Sequence, residues 1–310
     1  MKQIQMNKIS SIFTLQILIA LILPVHAATI TLNSTAESGN SAFSAELLTT
    51  SCATVGVVMF HGRASTPTGP VVAEISSSLN RAGYTTLSID NPLPLNQQTD
   101  FSSYVNDVNS DNYVFPEASA RMRTAINHLQ SLGVEQVVVA GFSLGSRLAT
   151  AHVARGQTDE LPVIGLIGVG MYGTSIDPLN VSATLDEVSV PVLDVYGDTD
   201  TNALNTALAR QNAYNAGNGT SYTQSVLTCI SGLNCHQLEG IKGDDSKLFE
   251  IELNAWMQSF APASVILGCA TEPATSSTPQ AGNSSGSLEL VFIGLVFVAL
   301  ALRFRYKKLI

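Results

Sequence analysis

Continuously apolar, largely β-branched runs recur along the middle of the chain, and helical periodicity fills the gaps between them. Thr54 to Phe60, Tyr84 to Ile89, Gln136 to Ala140, Pro162 to Val169, Val188 to Tyr196 and Ser221 to Leu227 read as strands. Val71 to Ala82, Glu117 to Leu132, Arg147 to Ala154, Thr201 to Tyr214 and Asp244 to Phe260 read as helices, with Gly83 and Gly133 as stops for the first two. A strand with one wet face alternates polar and apolar residues; most of these do not alternate, so both faces of their sheet are covered. Strand and helix in regular succession predict an α/β domain with a mainly parallel sheet and helices on both faces. Ala28 to Ser51 does alternate, and supplies one or two leading antiparallel strands. Function in such sheets collects at the carboxyl ends of strands. That rule selects the segments after Phe60, Asp90, Ala140 and Tyr196.

The two ends have a different character. Met1 to Ala27 carries Lys2 and Lys8, an apolar run from Ile12 to Leu23, then Val25-His26-Ala27. This is the grammar of a secretory signal peptide cut between Ala27 and Ala28. The expected globular domain is 28–262, followed by a Ser/Thr/Pro-rich linker at 263–287 and a tail at 288–310. In the tail, Leu290 to Leu302 is uncharged and apolar, and Arg303, Arg305, Lys307 and Lys308 follow. Thirteen helical residues cover only about 20 Å of a hydrocarbon core of about 30 Å. The basic cluster would hold this terminus on the cytoplasmic side, leaving the domain outside. A Ser/Gly motif (Ser284-Ser285-Gly286-Ser287), a short apolar helix and a basic end resemble bacterial C-terminal sorting signals of the glycine-glycine type, though a strict double glycine is replaced. The resemblance implies a rhomboid-like sorting protease as a partner; a single-pass anchor that is never cut is the plainer reading.

Charge follows this division. Six of the 15 basic residues lie in the ends but only one of the 24 acidic ones, Glu289, so the body is strongly acidic. Such a surface repels phosphate backbones and excludes nucleic acid as a partner. The four cysteines, Cys52, Cys229, Cys235 and Cys269, form an even set, as expected of an exported chain. Three connectivities are possible, of which Cys229–Cys235 and Cys52–Cys269 are preferred. No C-x-x-C occurs and only His236 lies near the cysteines, which disfavours a metal site.

The most specific motif is Gly141-Phe142-Ser143-Leu144-Gly145, a G-x-S-x-G set between a strand and a helix. A nucleophile held on a sharp turn needs flanking glycines, because side chains there would clash. On this motif the chain resembles the α/β-hydrolase superfamily over roughly Thr54 to Phe260. The resemblance implies a Ser-His-Asp triad in the chain order serine, acid, histidine. Ser143 is then the nucleophile. Gly197-Asp198-Thr199-Asp200 follows a strand where the family keeps its acid, and Asp200 is preferred to Asp198. An aspartate before Ala203-Leu204 would equally make a helix N-cap. His236 precedes the last helix and takes the place of the base, whereas His128 and His152 fall within helices and read as structural. The oxyanion donors are expected to be the backbone N–H groups of Leu144 and Arg63, just after His61-Gly62.

No large cap is evident between Val169 and Val188, and the polar loop from Asn91 to Pro116 is the candidate for shaping a pocket. The chain thus resembles the small, open dienelactone-hydrolase branch, with serine where that branch has cysteine. The expected substrate is a small carboxylic ester or thioester, hydrolysed through an acyl-enzyme without metal or organic cofactor. A serine peptidase or amidase on the same fold, and a non-catalytic envelope binding module, are the competing readings.

Overall fold

The structure, a computed structural model, describes residues 26–34, 42–92, 114–156, 162–173, 179–230, 235–238 and 245–263. All belong to the first of two compact units, Met1–Cys269; the second, Ala270–Ile310, lies outside the described residues, as do most of the signal segment and the linker.

Every residue of β3 (Val55–Phe60) and β4 (Thr85–Ile89) is buried, which explains why their sequence shows no alternation. Successive side chains of a strand point to opposite faces, so β3 feeds two separate cores. Val57 and Met59 pack with Ile75 and Leu79 of α1 (Pro70–Arg81) and with Leu253 and Met257 of α6 (Asp245–Phe260). Val58 and Phe60 pack with Met122 and Ile126 of α2 (Val114–Ser131), Leu148 of α3 (Leu144–Ala151) and Tyr214 of α5 (Thr201–Ala216).

With β1 (His26–Asn33), β2 (Ala42–Thr49), β5 (Gln136–Phe142), β6 (Val163–Val169), β7 (Val192–Gly197) and β8 (Tyr222–Leu227), the sheet has eight strands in the order β1-β2-β4-β3-β5-β6-β7-β8. The β1–β2 and β2–β4 pairs are antiparallel and all others parallel. Partnerships of Phe60 with Gly141 and of Gly141 with Gly168 bring the carboxyl ends of β3, β5 and β6 level. The loops that leave them therefore meet at one edge.

Several boundaries differ from the periodicity; α2, for example, starts at Val114 and not at Glu117. The strand expected from Val188 starts only at Val192, because Pro191 offers no N–H to the ladder. Val188 follows a 3-10 turn, Leu185–Glu187, after the short helix α4 (Val181–Thr184), and its burial accounts for the apolar pattern. Helix α3 begins at Leu144 and not at Arg147, and it passes into a π-helical turn at His152–Gly156. The π turn holds buried His152, whose Nδ1 lies 2.9 Å from Ser119 Oγ. Among the described residues no helix is long and apolar enough to cross a membrane.

Candidate active site

The elbow between β5 and α3 is fixed by what cannot fit there. A Cβ on Gly141 would stand 2.2 Å from Gly145 O, and one on Gly145 would stand 2.4 Å from the carbonyl oxygens of both Phe60 and His61. The chain can turn this sharply only because both positions lack side chains. Between them Ser143 takes φ 53° and ψ −115°, a conformation costly for a residue with a Cβ and one that clusters at functional sites. Its N–H donates to Val169 O at 2.8 Å, and its C=O accepts from Ser146 Oγ at 2.6 Å. Ser143 caps α3, so its Oγ sits at the positive end of that helix.

His236 reaches the serine from a 3-10 turn, Cys235–Gln237. Its Nε2 lies 2.8 Å from Ser143 Oγ and its Nδ1 lies 2.7 Å from Asp200 Oδ2. A carboxylate only accepts, so Nδ1 carries the proton and Nε2 is left to accept from the serine hydroxyl. The imidazole packs against Phe142 and, edge-on, Tyr172. Gly170, at φ +60°, runs directly beneath it: a Cβ there would stand 3.0 Å from His236 Cε1.

Asp200 is 1% exposed. Its Oδ1 accepts from Ala203 N at 3.3 Å, capping α5, while Oδ2 faces the histidine. The cap and the histidine contact, alternatives by sequence, are made by the two oxygens of one carboxylate. Burial pushes this carboxyl up, but the hydrogen bond and charge of His236 with the backbone donors of Ala203 and Asn202 outweigh it and hold it below the usual aspartate value. Asp198 points elsewhere, accepting from Cys229 N at 2.9 Å.

The cysteines close the same corner. Cys229 and Cys235 form a disulfide, and Cys235 N donates to Thr199 Oγ1 at 3.2 Å. Thus Asp198 and Thr199, the two residues before Asp200, hold the two ends of the disulfide loop. Gly197 makes room for it, since a Cβ there would stand 2.5 Å from Cys235 Cβ. Cys52 is disulfide-bonded too; Cys269, its expected partner, lies outside the described residues.

Ser143, Leu144, His236 and Arg63 line one cleft of about 340 Å³ together with Phe142, Tyr172, Asn202 and Gln237. Leu144, the first residue of α3, has a backbone N–H without an intrahelical acceptor, as the first turn of any helix does. Arg63 is exposed in the turn after β3. His128 and His152 are not in the cleft; burial lowers the His128 pKa. Periodicity missed Tyr172, Asn202 and Gln237. The carboxyl-end rule, applied also to the strand ending at Val169, would have led to Tyr172. The proposed pocket loop, 91–116, falls mostly outside the described residues.

This sheet order, with a serine elbow after β5, is the α/β-hydrolase fold. Among solved structures, the dienelactone hydrolase of Anabaena variabilis superposes with a TM-score of 0.53 at 18% identity, covering 76% of this chain and 98% of that one. An esterase of Pyrococcus furiosus gives 0.55 at 11%, covering 76% and 92%. The esterase domain of a Rhodothermus marinus protein gives 0.50 at 16%, covering 76% and 99%. In sequence, residues 103–234 match a family described as a protein of unknown function, DUF3530. No curated protein matches the chain.

Proposed function

We propose that the protein is a serine hydrolase that cleaves a small carboxylic ester or thioester through an acyl-enzyme. The hydrogen-bonded chain from Asp200 through His236 to Ser143 carries this reading. A serine hydroxyl alone is a weak nucleophile; with Nε2 at 2.8 Å its proton has an acceptor as Oγ attacks the ester carbonyl. The imidazolium so formed is stabilised by the Asp200 carboxylate. Negative charge gathers on the carbonyl oxygen, where the N–H groups of Leu144 and Arg63 serve as donors. His236 then returns its proton to the departing alcohol or thiol. Water repeats the sequence on the acyl-serine and regenerates the hydroxyl. The dienelactone hydrolase and esterase folds among the structural neighbours support the hydrolase class, and the modest cleft supports a small substrate.

We also propose that the protein works outside the cytoplasmic membrane, released or held by its tail. The Cys229–Cys235 bond and the bonded Cys52 favour an oxidising compartment. Intact mass of the protein from its native host should correspond to a chain starting at Ala28; a chain retaining Met1 would exclude the signal peptide.

The test of activity is labelling by a fluorophosphonate, alone and beside an ester panel. Labelling that Ser143→Ala abolishes and His236→Ala slows at least a hundredfold is expected of an activated serine. A folded wild type that neither labels nor turns over any ester would point to a binding module, and comparable amide turnover would point to an amidase.

A further inference from the structure

His61 has no step in the reaction above, yet it is fully buried at the end of β3, beside the serine elbow. Its Nδ1 lies 2.7 Å from Gly62 O. A carbonyl oxygen only accepts, so Nδ1 bears a proton. On the far side of the ring, Asn91 N–H donates to Nε2 at 3.1 Å, and Asn91 Nδ2 donates to His61 O at 2.7 Å. The two residues clasp each other across the ends of β3 and β4. Asp90 Oδ1 also lies 3.0 Å from Nε2 and would take its proton bond in the charged ring. The Nδ1–H bond to Gly62 is common to the neutral and charged rings.

The unit so held is the peptide joining Gly62 to Arg63. In a trans peptide the C=O and the N–H point in opposite directions. With Gly62 O drawn to the buried imidazole, the Arg63 N–H is turned away from the ring, and Arg63 is one of the residues that line the cleft with Ser143. The peptide adjoins the nucleophile: a Cβ on Gly62 would stand 3.4 Å from Ser143 Cβ. Glycine leaves such a peptide free to rotate. A flip would present a carbonyl oxygen where a donor is needed, replacing attraction of the oxyanion by repulsion.

We infer that His61 is a positioning residue that fixes the Gly62–Arg63 peptide with its N–H toward the oxyanion. The inference rests on the hydrolase reading above. It separates the two nitrogens by chemistry, and two substitutions separate them by experiment. In His61→Asn, Nδ2 stands where Nδ1 stood and can still donate to Gly62 O. In His61→Gln, the amide reaches the position of Nε2 and can hold Asn91 but not Gly62 O.

Both variants and the wild type are assayed on p-nitrophenyl acetate, with thermal melts as folding controls. For His61→Gln, kcat should fall about a hundredfold, as for loss of one oxyanion donor, with KM changed by less than about twofold. His61→Asn should recover to within about fivefold of the wild type. An equal loss in both variants, or a loss confined to KM, overturns the inference. No ester turnover by folded wild type overturns instead the hydrolase reading on which it stands. Independently of activity, and even if neither variant folds, ¹⁵N-edited NMR of the wild type should find the His61 proton on Nδ1. A neutral His61 protonated on Nε2 overturns the inference outright.

Discussion

The elbow around Ser143 and the turn around His236 set their side chains one hydrogen bond apart, but they are held by opposite means. The elbow is fixed by exclusion. Gly141 and Gly145 pack so closely on backbone that no methyl group fits, and neither serine nor loop has another course. The histidine turn is fixed by tethers: a disulfide to Cys229, and side-chain bonds from Asp198 and Thr199 to the two cysteine N–H groups. A steric mould fails when something is added to it. A tethered turn fails when something is taken away.

The largest break should come at the joint between the two regions. Asp200→Asn leaves an acceptor for the Ala203 N–H but favours the wrong imidazole tautomer, and kcat should fall about 10⁴-fold. The same variant reports on pH. Because the folded carboxyl lies below its ordinary value, its contribution to stability is present above the unfolded pKa and is lost as pH falls through the folded one. Urea melts should therefore find wild type and Asp200→Asn closer in stability at strongly acidic pH than at pH 7.

Next in size is an addition to the mould. Gly145→Ala forces a Cβ toward two carbonyl oxygens and should cost about a hundredfold in kcat, the scale of an ångström-sized misplacement of a reacting group. Overpacking should also cost about 1–3 kcal/mol of stability, read from chemical denaturation.

Subtraction from the tethers should cost less. Cys229→Ala with Cys235→Ala, or reduction of the native bond, should lower kcat about tenfold by loosening His236. Dithiothreitol should slow the wild type about tenfold and the double variant, which keeps only the bond at Cys52, much less; equal sensitivity of both would show that the Cys229–Cys235 bond does not position the histidine.

The smallest effect on rate is expected behind the site. Arg210, fully buried, holds Asp194 of β7 through Nε at 2.9 Å and Nη2 at 2.7 Å, and so pins α5 to the sheet. Arg210→Met leaves the buried Asp194 carboxylate with only the neutral donors Tyr222 Oη and Gln224 Nε2 and should cost about 3–5 kcal/mol of stability, with kcat reduced only a few-fold because the cap at Asp200 is local.

What could be read from the sequence follows the same division between local and assembled. The sheet was legible because Val55–Phe60 and its neighbours are apolar on both faces, and no other fold class covers so many such strands. The elbow was legible because its glycines and serine are contiguous. Asp200 and His236 were reached through chain order after a strand, which could not show that one oxygen of Asp200 caps while the other faces the histidine. Nothing in the spelling of Asp198 or Thr199 signals a hold on the cysteine loop, since those bonds span more than thirty residues. Asp194 was hidden inside an apolar strand, because its partner Arg210 arrives only when α5 packs. Asn202 and Gln237 were missed for the same reason, since a cleft wall made from separate loops has no linear pattern, whereas Tyr172 lay within reach of the carboxyl-end rule.

The divided use of Asp200 also limits which residues can replace it. Asparagine or serine would keep the helix start but surrender the negative charge beside the imidazole. Glutamate would keep the charge, yet its extra methylene carries the carboxylate away from the short reach that a helix start requires. Two unrelated contacts on the same carboxylate leave a single side chain that makes both.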